Sequence, residues 1–241
     1  MKQAERETGT ALHHGNISRK QSLSSQVYEY LSEQIIRGVI KYGDRLNIKN
    51  IAADLEVSPM PIRDALKRLE MEQVVVIRPR STCFVRVPTR AKTLEAIAAR
   101  RMLETFAVRE VCTTVTAAEL STVKSVLDDM AELIRRTAGN RTRAAVDDYI
   151  ELDRQFHTEL CALARNDYVN RFYRETDMHL SMSFRYGVGV CHGIEATFHD
   201  HEQIYRQLAA NSCEAVELLE QHLLRSRQNI MNEPTFQVLE E

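Results

Sequence analysis

Apolar residues recur at helical spacing through residues 46–70, LNIKNIAADLEVSPMPIRDALKRLE, in two short runs separated by a break. Ile48, Ile51, Ala52 and Leu55 form the first stripe, and Glu56 and Val57 interrupt it. Ser58 then stands where an N-cap opens a second helix, with Pro59 at the first helical position. That helix is predicted to bury Ile62, Ala65, Leu66 and Leu69, which turns Met60, Arg63, Asp64 and Lys67 outward. A preceding helix over about residues 24–37 carries Val27, Leu31 and Ile35 on one stripe and stops at Gly38. Two β-prone runs follow, 74–77 and 83–87, joined by the basic segment Arg78-Pro79-Arg80-Ser81-Thr82. Helix, helix, helix, hairpin is the order of a winged helix-turn-helix. Such a unit sets its second-helix face in the DNA major groove and its wing against phosphates or the minor groove. A three-helix unit with a hairpin that binds protein would show the same pattern.

Pro88-Thr89-Arg90 ends the last strand, and from there the pattern is helical throughout. Helices are predicted over about 92–114, 117–137, 142–165, 168–185, 193–210 and 213–231. The breaks fall at Thr116, Gly139-Asn140, Asn166-Asp167, Gly187 with Gly189, and Asn211-Ser212. Thr116-Ala117-Ala118-Glu119 is a capping box. The expected fold class is therefore mainly α: an N-terminal winged helix-turn-helix followed by an all-α bundle of six to seven helices. The expected organisation is a disordered segment over 1–20, the winged domain over 21–88, the helical domain over 89–232 and a tail over 233–241.

Composition narrows the classes. The chain has 241 residues, 44% of them hydrophobic, enough for two modest cores. No stretch approaches the roughly 18 apolar residues a membrane span needs, and the polar start with His13-His14 has no apolar signal core. A cytoplasmic protein with no membrane partner is expected. Five cysteines, Cys83, Cys112, Cys161, Cys191 and Cys213, form no CxxC pair, and their odd number argues against a disulfide framework, so small core residues are expected. The net charge of −2 conceals an asymmetry: residues 1–90 hold 15 Lys and Arg against 10 Asp and Glu, and residues 91–241 hold 17 against 24. The first part suits phosphate and the second repels it.

Polar residues interrupt the apolar stripes of the bundle. Asp153 and His157 lie one turn apart beside the stripe Tyr149, Leu152, Phe156, Leu160 and Leu163. His201 falls on the stripe Ile194, Phe198, Tyr205 and Leu208, and His222 on that of Ala215, Leu219 and Ser226. One carboxylate and three imidazoles from three helices suit Zn²⁺, Ni²⁺, Mn²⁺ or Fe²⁺, whereas each His taken alone reads as a hydrogen-bonded core residue. His179 and His199 sit less well on the stripes, and His192 falls in a predicted loop. Arg100 shares a face with Ile97, Leu103, Glu104 and Ala107, where it either clamps a carboxylate ligand in bidentate fashion or pairs with Glu104.

Over about residues 22–231 the chain resembles GntR-family transcription regulators of the FadR-like subgroup with an FCD domain. In the first part the resemblance rests on Gln26-Val27, Gly43-Asp44-Arg45-Leu46, Ile51-Ala52, Val57-Ser58, Pro61-Ile62-Arg63-Asp64-Ala65-Leu66 and Leu69-Glu70. In the second it rests on Arg100-x-x-Leu103-Glu104, on Asp153-x-x-Phe156-His157 followed by Asn166, and on His201-x-x-Ile204 followed by Ala215 and His222. The resemblance implies a homodimer reading two half-sites of double-stranded operator DNA, and an α-domain that dimerises and binds a small effector, often a carboxylate. It further implies a divalent metal, zinc or nickel foremost, on Asp153, His157, His201 and His222. DNA contacts are expected from Arg45, Met60, Arg63, Lys67 and Arg80, effector contact from Arg100, and no catalytic residue. The chain departs from the family in having Pro59 and Met60 where Arg and Thr are usual. It also has Gln73 and Thr82 where glycine is usual, and about one residue fewer between His201 and His222. A repressor that senses the metal itself is the nearest rival. A metal-dependent hydrolase is a more distant one, with no Ser-His-Asp arrangement or glycine-rich phosphate loop to support it.

Overall fold

The computed structural model describes residues 22–78, 82–138, 142–185 and 193–234. The segment 1–20, Arg80, the break at Gly139-Asn140, Gly187, Gly189, Cys191, His192 and most of the 233–241 tail lie outside them.

The first unit runs α1 (Leu23–Ile36), β1 (Arg45–Leu46), α2 (Ile48–Asp54), α3 (Pro59–Met71), β2 (Val75–Arg78) and β3 (Thr82–Val85). The Ser22 hydroxyl accepts from the Ser25 amide to start α1, and Gly38, at φ +70°, lets the chain turn away after it. Asn47 caps α2 through the amides of Lys49 and Asn50. Ser58 does occupy the N-cap of α3, but its side chain makes no capping bond; Pro59 and Pro61 preset the first turn instead. Ile62, Ala65, Leu66 and Leu69 of α3 are buried against Leu31 and Ile35 of α1 and Val74, Val75 and Val85 of the hairpin. The sheet is antiparallel in the order β1-β3-β2, with Arg45 and Val76 flanking Phe84. β1 was not foreseen, because two residues carry no periodic signal.

The second unit comprises α4 (Arg90–Val111), α5 (Ser121–Arg136), α6 (Arg143–Leu163), α7 (Asp167–Arg185), α8 (Ile194–Ala209) and α9 (Glu214–Asn232). The capping box forms, with the Thr116 amide donating to Glu119 Oε2 at 2.8 Å and the Glu119 amide returning to Thr116 Oγ1 at 3.3 Å. It closes a separate turn, so α5 begins at Ser121 rather than at 117. Met130, Phe156, Leu160, Ile204, Leu208 and Leu219 lie at the centre of the core.

One expectation is overturned. Cys112 and Cys213 are disulfide-bonded across 101 residues, whereas Cys83 and Cys161 are the buried thiols that were expected. An odd cysteine count leaves room for one pair, and the partners meet only because the C-cap of α4 and the N-cap of α9 come together in the bundle.

α7 joins the two units. Met178 and Met182 belong to the core cluster of the winged unit, and His179 Nε2 donates to the Glu72 carbonyl, the C-cap of α3, at 2.9 Å. A Cβ on Gly38 would meet Arg185 Cδ at 3.4 Å. Trimming Met182 to alanine should therefore cost about 2–5 kcal/mol and quicken amide exchange in α1 and the hairpin as well as in α7. Changes confined to α7 would show that Met182 does not support the winged core. Gln73 holds φ 60° just past α3, a left-handed conformation that costs a side chain about 1–2 kcal/mol. Gln73→Gly should accordingly raise stability by about 1 kcal/mol in urea denaturation, and a loss instead would place the Gln73 side chain in a stabilising contact.

Candidate metal centre and nucleic-acid interface

The bundle brings His157 of α6, His201 of α8 and His222 of α9 together as buried side chains, with one ring nitrogen of each inside a common 4.8 Å span. His201 Nε2 lies 3.4 Å from His222 Nε2 and 3.5 Å from Asp153 Oδ1, and His157 Nε2 lies 3.9 Å from the same carboxylate oxygen. Donors bonded to one ion at about 2.0–2.1 Å in a tetrahedral array stand roughly 3.3–3.4 Å apart. Asp153 joins the three histidines because residues four apart on α6 share a face. Phe156, on the same helix, stacks on the His201 ring with centroids 4.2 Å apart and holds its orientation.

Two carboxylates fix the tautomers. Glu104, on α4, accepts from Arg100 Nε through Oε1 at 2.5 Å and from His157 Nδ1 through Oε2 at 2.7 Å. Asp200, on α8, accepts from His222 Nδ1 at 3.2 Å and from Arg225 at 2.5 Å. With the proton on Nδ1 in both rings, the lone pair lies on Nε2 in each; His157 Nε2 is buried without a hydrogen-bond partner, and His222 Nε2 faces His201 Nε2 at 3.4 Å. Carboxylate–histidine pairs of this kind are the usual support of metal-ligating imidazoles. Burial, reinforced by neighbouring cationic and imidazole groups, holds His157 and His201 well below the ordinary imidazole range, so both are neutral and fit to ligate. Burial raises Asp153 above the usual carboxylate value, with Arg100 opposing. The donor set fits a divalent ion.

Of the two alternatives expected for Arg100, the structure shows the ion pair with Glu104. Its Nη2, 3.9 Å from Asp153, is buried without a hydrogen-bond partner. Burial opposes its charge, and the Glu104 carboxylate more than restores it. Arg100, Asp153 and His222 share a cavity of about 60 Å³ with Tyr149, Ile150, Phe184, Thr197, Ser226, Asn229 and Ile230.

On the winged unit, Met60, Arg63 and Lys67 are exposed along α3, and Arg45 is exposed on β1. They form the outward face that the helical spacing predicts. Arg78, over the Phe84 ring at 5.3 Å, is a further exposed cation at the hairpin. Sequence reasoning missed Asp200, and it read Glu104 only as a partner of Arg100. Asp200 adjoins His201 in sequence yet serves His222, 22 residues away, so spacing gives no signal for it. His179 is at the junction of the two units, and His199 is exposed on α8.

The family model for the bacterial regulatory proteins of the gntR family matches residues 23–85, and that for the FCD domain matches residues 95–225. Over 125 residues the chain is 30% identical to the Nta operon transcriptional regulator of Aminobacter aminovorans, which takes in 52% of this chain and 56% of that protein. Over 144 residues it is 25% identical to the HTH-type transcriptional repressor RspR of Escherichia coli K12, 60% of each chain. The matches thus span less than two thirds of the length of these two relatives. Among solved structures, a GntR transcriptional regulator from Rhodococcus sp. RHA1 superposes with a TM-score of 0.71 at 27% identity, over 88% of this chain and 98% of that one. E. coli McbR/YncC superposes with 0.72 at 20% identity, over 91% and 100%, a likeness of fold alone.

Removing one ligand or one tautomer-fixing group tests the centre. His157→Ala should abolish stoichiometric zinc in elemental analysis, and unaltered zinc content would show the histidine cluster to be misread. In Glu104→Gln the amide turns a donor toward His157 Nδ1, moves the proton to Nε2 and blocks the ligating lone pair. Zinc affinity, measured against a competing chelator, should fall about 10–100-fold. Equal affinity would mean that Glu104 does not set the tautomer.

Proposed function

Because the chain belongs to the GntR family of transcription regulators, with a winged helix-turn-helix followed by an FCD domain, we propose that it is a dimeric regulator of cytoplasmic operator DNA. A small carboxylate entering its metal-bearing FCD domain changes its affinity for that DNA. The observation that carries this reading is the cavity in which Asp153 and His222, two members of the Asp153/His157/His201/His222 cluster, meet an Arg100 guanidinium whose Nη2 makes no hydrogen bond. When bound, a divalent ion such as zinc or nickel would supply a Lewis-acidic anchor for a carboxylate, and Arg100 would neutralise the second oxygen. Each water-sized group needs roughly 10–15 Å³ by this measure. The cavity of about 60 Å³ therefore suits an effector of only a few non-hydrogen atoms.

Arg45, Met60, Arg63 and Lys67, together with Arg80, are the residues assigned to the operator. Two copies in a dimer would address two half-sites in successive major grooves. Communication runs through α7, which packs along α4 and bonds the C-cap of α3 through His179. Effector affinity must differ between the DNA-competent and incompetent arrangements, since equal affinity shifts nothing. Regulation rather than catalysis is favoured because Glu104 and Asp200, the carboxylates that hold the ring Nδ1 atoms, are engaged by Arg100 and Arg225. Neither is left as a general base. Among the described residues no helix is long and apolar enough to cross a membrane.

Elemental analysis combined with thermal shifts across small carboxylates, before and after chelation, tests the effector half. Bound metal and a shift lost on chelation are expected, and a shift that survives chelation would separate effector from metal. For the DNA half, Arg63→Ala should weaken binding to an operator selected from random duplexes by at least about 1 kcal/mol. Unchanged affinity would remove Arg63 from the interface.

A further inference from the structure

The Cys112–Cys213 bond closes the bundle at one end. Cys112 is the C-cap of α4, eight residues beyond Glu104, and Cys213 is the N-cap of α9, nine residues before His222. At about 1.5 Å per helical residue, each sulfur-bearing residue stands roughly 12–14 Å along its helix from a group that builds the histidine cluster. The two ends differ in environment. Cys112 is 2% exposed within the apolar core, whereas Cys213 is exposed at the start of a helix whose N-cap makes no side-chain bond. The disulfide is thus the covalent tie on the first turn of α9. In a protein acting on cytoplasmic DNA, disulfides that form are characteristically transient and redox-sensing rather than permanent staples.

We propose that Cys112 and Cys213 are a reversible dithiol–disulfide site for peroxides and low-molecular-weight disulfides. Its oxidation tightens the metal cluster by tying α4 to α9. The inference rests on reading that cluster as a metal site. With hydrogen peroxide, the Cys213 thiolate takes one oxygen as a sulfenic acid and one water leaves. The Cys112 thiol then attacks that sulfur, forming the S–S bond and releasing a second water. Two electrons pass from the thiols to the peroxide. In the reverse direction a small thiol attacks the exposed Cys213 sulfur, and Cys112 departs as a thiol. A second small thiol frees Cys213 and carries the electrons' balance away as a small disulfide. Cys83 and Cys161 do not compete, because both are buried, and burial pushes Cys83 up to about 11 and Cys161 further above its ordinary value. Once reduced, the first turn of α9 keeps its packing and the local bonds from the Glu214 and Ala215 amides to Ser212 but loses its covalent tie to α4, which loosens the position of His222 against Asp200.

The full-length protein is equilibrated in glutathione buffers of graded ratio, with and without peroxide, alkylated, and mapped by peptide mass. A Cys112–Cys213 linked peptide that appears and disappears across the series is expected. A bond that never forms, or that no ratio reduces, overturns the proposal. Zinc affinity is then compared between the oxidised protein and Cys112→Ser/Cys213→Ser, which avoids thiols that themselves bind zinc. The single variant Cys213→Ser, at the exposed partner, serves if the double variant does not fold. Weakening by at least about fivefold is expected without the bond. Equal zinc affinity overturns the redox coupling and leaves the metal reading intact. Absence of zinc binding in both forms overturns the metal reading, and the coupling with it.

Discussion

Glu104 is fully buried and accepts on both carboxylate oxygens at once, from Arg100 and from His157, and the FCD domain is organised around that bridge. A guanidinium placed in the interior requires an opposing charge, and a carboxylate buried beside it requires donors on each oxygen. α4 supplies both partners of the ion pair from one helical face, four residues apart, and α6 supplies the imidazole. Once the Glu104 carboxylate accepts the hydrogen bond from the His157 Nδ1–H, His157 Nε2 is committed to carrying the lone pair. Asp200 imposes the same choice on His222 from the other side. Two lone pairs converging in a buried space repel one another, and a cation between them removes that cost. The fitness of the cluster for a divalent ion thus rests in part on carboxylates that are not themselves candidate ligands.

The same helices connect the cluster to the DNA-facing unit. α4 packs along α7, and α7 lends Met178 and Met182 to the winged core while His179 bonds the carbonyl at the end of α3. The junction is apolar at its centre with a directed hydrogen bond at its edge, the contacts through which the proposed communication between α7 and α3 would pass. Coupling energies of about 1–3 kcal/mol are typical of such links, comparable to the loss of one well-packed contact at this junction.

Where the chain departs from its family, local chemistry compensates. Pro59 and Pro61 give α3 a preset first turn in place of a side-chain cap, and Met60 presents apolar surface where a polar contact is usual. Arg78, lying over Phe84, contributes a cation at the base of the wing. Gln73 occupies a left-handed conformation natural to glycine, held by amide bonds from Gln73 to Glu70 and from Val74 to Leu69.

The helices and hairpin of the winged unit were legible because their burial follows periods of 3.6 and 2, and each periodic residue needs only its neighbours in sequence to declare its face. For the same reason Asp153, His157, His201 and His222 stood out, as polar residues breaking apolar stripes. What periodicity could not give was any pairing across long separations: β1 beside β3, Asp200 beneath His222, α7 inserted into the winged core, and Cys112 bonded to Cys213. A hydrogen bond or disulfide between residues tens of positions apart depends on how the helices cross. Crossing is decided by the packing of whole faces, which no single stretch of sequence encodes. The sequence alone determined which residues turn inward and which chemistry they carry; only the tertiary structure decided which of them meet.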